Sequence, residues 1–277
     1  MEIFYAILIG IVQGLTEFLP ISSTAHMTIA ARIIGGDYLR DPKVWTASMA
    51  TIQLGTMFSL LFYFRNELFS LSKNFVRENV FKLPRNIFHQ SYHSRLGWAI
   101  CFGSLPIFVI GYLLKDFIEG DATKNLFSIA LALIFVAMLM LVAEFTGKFA
   151  KTIDRITIFD AVIIGLAQTL ALFPGVSRSG ATITAGLFLG YRRDDSARFS
   201  FLLSIPAVLV SGLYEFITNF HYISHKQILF VVIATIFAFF SGVFAISFLL
   251  KYLQKKSTLV FVIYRIALGI LIILWLL

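Results

Sequence analysis

Apolar residues in this chain run in long uninterrupted stretches, without the polar face every third or fourth position that a surface helix of a soluble protein carries. Six runs, Val44–Phe64, Leu96–Leu114, Leu126–Phe145, Phe199–Ile217, Ile228–Leu250 and Leu259–Leu277, each hold about 19 to 23 residues. At a helical rise of about 1.5 Å per residue, each can cross roughly 30 Å of hydrocarbon, so the pattern predicts six transmembrane helices. Two further stretches are broken. Ile3–Leu19 and Asp160–Phe173 run into Pro20 and Pro174, pass through Ser, Thr and Gly, and resume as short pieces at Ala25–Ile34 and Ala181–Gly190. No single piece is long enough to span, which predicts two re-entrant hairpins that each enter and leave by one face.

The broken stretches repeat one another. Ile9, Gly10, Gln13, Leu15 and Phe18 match Ile164, Gly165, Gln168, Leu170 and Phe173 at a constant offset of 155. After a one-residue gap, Pro20 and Ser23 match Pro174 and Ser177, and the next span starts in register, Val44 against Phe199. The expected fold is therefore an all-α integral membrane protein forming a single membrane domain over 1–277. Its two repeats, 1–145 and 159–277, each comprise a hairpin plus three spans. An odd number of spans turns the second copy upside down, and inverted repeats with interrupted helices gather a polar site near the bilayer midplane.

Composition agrees with this class. Hydrophobic residues make up 58% and charged residues 14%, where an average soluble domain carries roughly 25% charged. Mean hydropathy is +0.86. A soluble protein could not clothe itself with so few charges, and disorder and collagen are excluded with it. A disulfide scaffold is excluded because Cys101 is the only cysteine. The net charge of +8 reads as loops facing anionic lipid; no nucleic-acid partner is expected. Met1-Glu2 offers no basic n-region, so the first apolar stretch reads as a membrane element and not as a cleavable signal. The segments 65–95, 146–158, 191–198 and 251–258 carry 15 Lys and Arg together, against 5 in 37–43, 115–125 and 218–227. That bias predicts the first set in the cytoplasm and both termini outside, with the first hairpin entering from outside and the second from the cytoplasm.

Polar residues collect at the two breaks. The first reads Gln13-Gly-Leu-Thr-Glu17-Phe-Leu-Pro20-Ile-Ser22-Ser23-Thr24-Ala-His26. Gln13 and Glu17, four apart, share a helix face, and Pro20 ends that helix. Ser22, Ser23 and Thr24 suit the cap of the next helix, with His26 in its first turn. An acid, a candidate nucleophile and a proton carrier thus meet at one break. A Glu17 in an aqueous vestibule beside hydroxyls that only cap a helix would give the same spacing, but a carboxylate in lipid is costly and usually marks function. The second break reads Pro174-Gly175-Val-Ser177-Arg178-Ser179-Gly180-Ala-Thr182. Arg178 is a permanent cation that needs an anion at this depth. Gly175 and Gly180 permit close backbone approach, Ser177, Ser179 and Thr182 supply hydroxyls, and a helix N-terminus supplies amides. These are the parts of a phosphate cradle. An internal Arg178–Glu17 ion pair is the alternative, and the two are compatible before a ligand arrives.

Other polar positions carry less. The pairs His89/His93 and His221/His225 have helical ligand spacing without a carboxylate companion and read as solvated. Glu144, Asp160 and Glu215 lie at span ends within reach of interfacial water. Gly103, Pro106 and Gly111 read as close packing or a kink in one span. The conformation of 65–95 is not fixed by its pattern.

Through Gln13-x-x-x-Glu17, Pro20-x-Ser22-Ser23-Thr24-x-His26 and Pro174-Gly175-x-Ser177-Arg178-Ser179-Gly180-x-Thr182, the chain resembles the bacterial undecaprenyl-diphosphate phosphatase family, the one associated with bacitracin resistance. The resemblance extends end to end. One position alternates between Glu and Gln in the family; here it is Gln13, which leaves Glu17 as the only carboxylate of the motif. The resemblance implies a membrane hydrolase that converts undecaprenyl diphosphate into undecaprenyl phosphate and inorganic phosphate. It would regenerate the lipid carrier of cell-wall synthesis in the plasma membrane, from a site opening to the outer face, and would use a divalent cation, Mg or Ca. On that footing Glu17, Ser23, His26 and Arg178 are the expected catalytic residues. Gln13, Ser22, Thr24, Ser177, Arg178, Ser179 and Thr182 would bind phosphate, and Glu17 would ligate the metal. Three schemes stand: attack by Ser23 with Glu17 or His26 taking its proton, attack by His26, or attack by water activated by Glu17. Expected partners are the polyprenyl diphosphate lipid and membrane lipids, with a homodimer left open. The competing class is a polyprenyl-phosphate carrier, a flippase or transporter, since broken helices in inverted repeats are transporter architecture.

Overall fold

The computed structural model describes residues 2–34, 42–81, 87–114 and 125–277. Eleven α-helices are present among the described residues: α1 Glu2–Phe18, α2 Ser23–Ile34, α3 Pro42–Tyr63, α4 Arg65–Val76, α5 Tyr92–Leu113, α6 Leu126–Thr146, α7 Ile158–Thr169, α8 Arg178–Phe188, α9 Arg193–Asn219, α10 His225–Leu253 and α11 Leu259–Leu276. Six of them, α3, α5, α6, α9, α10 and α11, are long and apolar enough to cross a membrane, and they coincide with the six predicted spans. The chain is a multi-pass, all-α membrane protein. Of the loops in the charge count, most of 37–43 and 115–125 lies outside the described residues, as do Lys82, Arg85 and the side chains of His225 and Lys226.

The helices begin where the sequence supplies a side-chain acceptor for the free first-turn amides. Asn125 accepts from the Ser128 amide at 2.7 Å ahead of α6, and Thr157 from the Asp160 amide at 3.0 Å ahead of α7. Ser224 and Gln227 close a reciprocal capping box at α10.

Packing follows an exchange pattern. Short α1 lies along α10, and short α7 along α5; α10 packs on α3 as α5 packs on α9; α3 meets α9, and α6 meets α11. Four helices of the first half, α1, α3, α5 and α6, thus rest chiefly on the second, while α2 packs on α1 and α4 on α5. Helices in lipid gain little from apolar burial between them, so close approach through small residues has to supply the contact. Gly10 faces the Ala234 carbonyl, and its counterpart Gly165 faces the Gly103 carbonyl. A Cβ at Gly165 would occupy the space of that carbonyl. Gly165→Leu is therefore expected to lower stability by about 3 kcal/mol or more, read as a fall in the thermal unfolding midpoint in detergent. An unchanged midpoint would show that α5 and α7 can separate freely.

Two span-end acids differ from expectation: they are buried and paired. Glu144 is held by Arg193 and by the Thr258 amide and hydroxyl at 3.1 and 2.7 Å. Asp160 accepts from the Tyr191 hydroxyl at 2.7 Å and has Lys151 at 3.8 Å. Burial first, and then the Asp160 carboxylate, push the Tyr191 phenol above its usual range, so it remains a donor. Charges at the ends of packed spans lose water to neighbouring helices and need partners. Glu215 does remain exposed. The segment after α3 forms α4, a π-type turn Arg77–Phe81 and a short 3-10 turn Ile87–His89.

Candidate active site

The two breaks are built alike. In the first, α1 stops at Phe18, Ser22 adopts φ +76°, and its hydroxyl accepts from the Ala25 amide at 3.4 Å, so that α2 starts at Ser23. In the second, Gly175 and Ser177 adopt φ +94° and +68°, and the Ser177 hydroxyl accepts from the Gly180 amide at 3.2 Å, starting α8 at Arg178. A non-glycine residue at positive φ is uncommon and strained, and its recurrence at both breaks marks an imposed shape. Gly175 has no such latitude for a side chain, because a Cβ there would meet the Ile129 backbone oxygen at 2.6 Å.

The matching cap positions are Ser22 and Ser177, one residue from the pairing of Ser23 with Ser177 that the sequence suggests. Ser23 and Arg178 consequently stand at equivalent first positions of α2 and α8. At the offset of 155, Leu172 corresponds to Glu17 and Gln168 to Gln13. Gln168 is fully buried with both amide atoms unpartnered. The second break keeps the scaffold without the acid.

Glu17 is the hub. Its Oε1 accepts from Arg178 Nη2 at 2.7 Å, and its Oε2 accepts from the Ser23 hydroxyl at 2.7 Å and from Gln13 Nε2 at 3.2 Å. The acid of one break and the cation of the other, 161 positions apart in sequence, are thus in direct contact. The Glu17 side chain is 9% exposed and that of Arg178 16%. What exposure they have is to a cavity of about 870 Å³. Gln13, Glu17, Ser23, Thr24, Ser177 and Arg178 line it, and Trp45, Met49, Ile107, Phe108, Leu172 and Val210 supply apolar wall.

The other expected site residues turn elsewhere. Ser22 is spent on the cap. The Ser179 hydroxyl donates to the Leu19 carbonyl at 3.2 Å and so ties the second break to the first. Thr182 donates to the Arg178 carbonyl at 2.8 Å and touches the Ser200 hydroxyl at 2.5 Å. A helix turns about 100° per residue, so Ser179 leaves the cavity that Arg178 faces; Thr182, one turn further on the same side as Arg178, is fully buried against Ser200 of α9. His26 does not line the cavity either. Its Nδ1 lies 2.7 Å from the Ser22 carbonyl, which makes that nitrogen the donor, and its Nε2 accepts from the Tyr264 hydroxyl at 2.6 Å. The two rings stack with 8° between planes.

Arg265 received no role from the sequence, although an arginine inside the run Leu259–Leu277 was the signal to find it. It is fully buried. Its guanidinium donates to the Pro20 carbonyl of the first break at 3.2 Å and to the Gly175 and Val176 carbonyls of the second at 3.2 and 2.9 Å. It also reaches Leu133 on α6 at 3.2 Å. One side chain clamps both loops by their backbones. Tyr264, beside it, had no sequence signal at all.

Among the described residues no group of three His, Cys, Asp or Glu could hold a metal. The acids lining the cavity among the described residues are Glu17, whose two oxygens are already engaged, and the exposed Glu215. A hard divalent ion is satisfied by one carboxylate when phosphate oxygens complete its shell; the residues fit such a shared site and no dedicated cage.

The chain matches the family described as bacitracin resistance protein BacA over residues 6–271. It is 48% identical to a protein of Syntrophobacter fumaroxidans over 269 residues, covering 97% of this chain and 95% of that one. It is 43% identical to one of Myxococcus xanthus over 272 residues, 98% and 88% of the two chains. With one of Mycolicibacterium smegmatis it shares 42% over 278 residues, 98% and 96%. All three relatives are named undecaprenyl-diphosphatase. Coverage this complete leaves no part of the site outside the match: the chain belongs to the BacA bacitracin resistance family.

Proposed function

We propose that this protein is a membrane hydrolase that converts undecaprenyl diphosphate into undecaprenyl phosphate and inorganic phosphate, and so recycles the lipid carrier of cell-wall synthesis. Kinship with relatives of that name carries the reaction. The contact of Ser23 and Arg178 with a single carboxylate carries the assignment of roles.

At rest Arg178 neutralises Glu17. The terminal phosphate of the substrate takes the guanidinium for itself, in a bidentate contact of the kind arginine makes with phosphate. Glu17 is thereby released beside the Ser23 hydroxyl it already accepts from. The Ser23 oxygen attacks the terminal phosphorus, its proton passes to Glu17, and the bridging P–O bond breaks with its electron pair leaving on undecaprenyl phosphate. Water then cleaves the phosphoserine, releasing inorganic phosphate and restoring Ser23. Phosphoryl transfer rests on positioning and charge neutralisation, which these residues supply. A bound Mg or Ca ion, held by Glu17 and the substrate's phosphate oxygens, would add neutralisation of the diphosphate charge.

His26 is a positioning residue in this scheme. Its ring props the Ser22 carbonyl and is itself fixed by Tyr264, outside the cavity. Gln13 and Thr24 flank the phosphate position, and Ser177 lines the same wall. Undecaprenyl carries 55 carbons, too many for about 870 Å³ of cavity to enclose; most of the tail stays in lipid.

We further read the architecture as two inverted repeats of a re-entrant hairpin plus three spans, in one membrane domain. The exchange pattern of helix contacts and the twin serine caps support this. The plasma membrane is the expected location and the outer face the expected opening.

The test is phosphate release from a polyprenyl diphosphate by purified protein in detergent with a divalent cation. Acid quenching during turnover should trap acid-stable phosphate on Ser23. An acid-labile phosphate on His26 would overturn the serine scheme, and lipid translocation in vesicles without phosphate release would favour the carrier.

A further inference from the structure

The segment 65–81, α4 with its following turn, sorts its charges by direction. Both of its acids point inward and are held: Glu67 accepts from Arg198 of α9 at 2.8 Å, and Glu78 accepts from the Ser91 amide at 2.9 Å. Asn79 adds to this inner face, donating to Ser94 at 3.0 Å and accepting from the Trp98 indole at 3.2 Å. All three bases, Arg65, Lys73 and Arg77, are exposed. They share the outer side with exposed Phe69, Val80 and Phe81, the last 81% accessible. Arg65 lies across the Phe62 ring, 4.7 Å from its centroid, and donates to the Phe62 carbonyl at the end of span α3. The segment therefore leaves a membrane span after one intervening residue, Phe64, and presents a face that is apolar and purely cationic.

We propose that this outer face is a binding surface for anionic phospholipid headgroups, with Phe69, Val80 and Phe81 set into the acyl boundary and Arg65, Lys73 and Arg77 on the phosphates. A basic amphipathic helix at the interface gains from apolar burial and from anionic lipid together. The inner bonds to Arg198 and Trp98 hold the helix at the angle that turns this face outward. Nothing in the surface touches the cavity, so it stands apart from the phosphatase reading, and a failure of phosphate release would leave it untouched.

The experiment places the full-length protein in phosphatidylcholine vesicles containing trace spin-labelled phosphatidylglycerol or spin-labelled phosphatidylcholine, and compares the motionally restricted fractions. The wild type is expected to prefer phosphatidylglycerol. R65Q/K73Q/R77Q is expected to lose most of that preference, and about 1 M salt to erase it, since the screening length there is about 3 Å. Folding of the variant is followed independently by circular dichroism and thermal unfolding. The control K251Q/K255Q/K256Q removes three exposed bases from another loop on the side where Lys and Arg concentrate, and should retain the preference. No preference in the wild type, an unchanged preference in R65Q/K73Q/R77Q, or an equal loss in both triple variants would overturn the proposal.

Discussion

Arg178→Ala is expected to lower phosphate release by about 10³-fold or more and, separately, to destabilise the protein. The rate effect arises because the guanidinium is, among the described residues, the one permanent cation on the cavity wall. It faces the position where negative charge gathers as the terminal phosphoryl group transfers. Lysine would restore charge but not the planar fork, so Arg178→Lys should recover only part of the rate. The stability effect has another source. Glu17, 9% exposed, would lose its cation, and orphaning one member of a buried pair costs about 3–5 kcal/mol. The double variant Arg178→Ala/Glu17→Gln separates the two: the unfolding midpoint should return toward wild type while phosphate release stays lost. Activity within about tenfold of wild type in a folded Arg178→Ala protein would remove this residue from the chemistry.

Ser23→Ala carries the second large effect. Loss of an attacking hydroxyl costs about 10³-fold or more in kcat, and here it should also abolish the trapped phosphoenzyme. The alanine leaves Glu17 with Arg178 and Gln13 as partners, so the fold and KM should change little. Glu17→Gln keeps an oxygen for the Ser23 hydroxyl to bond but no base, and is expected to cost about 10²–10⁴-fold in kcat. Undiminished release from Ser23→Ala would transfer the attack to water. Loss in Ser23→Ala with full activity in Glu17→Gln would show that the proton leaves by another route.

The six spans were legible because an uninterrupted apolar run has only one stable conformation in lipid, and the breaks were legible because proline ends a helix. The charge logic was legible too: an acid and an arginine in apolar surroundings need each other, and Glu17 and Arg178 are in contact. What the sequence hid depends on rotation and on distance along the chain. Whether His26 faces the cavity or Tyr264 is decided by a fraction of a helical turn. The true cap register, Ser22 with Ser177, depends on backbone angles that composition does not encode. The five carbonyls around Arg265 lie 89 to 245 positions from it along the chain. The outer face of 65–81 becomes visible only once its acids are seen bound to Arg198 and Ser91.

The guanidinium on α11 that grips both loops has a consequence for symmetry. Two identical half-length chains paired about a twofold axis would bring this arginine twice, and the second copy would find the Pro20 and Gly175 oxygens already taken. Joining the halves into one polypeptide lifts that constraint: α6 can offer plain carbonyls at Ala132 and Leu133 where α11 offers the cation. The single chain then owns one reactive pocket, with the acid at one break and the guanidinium at the other.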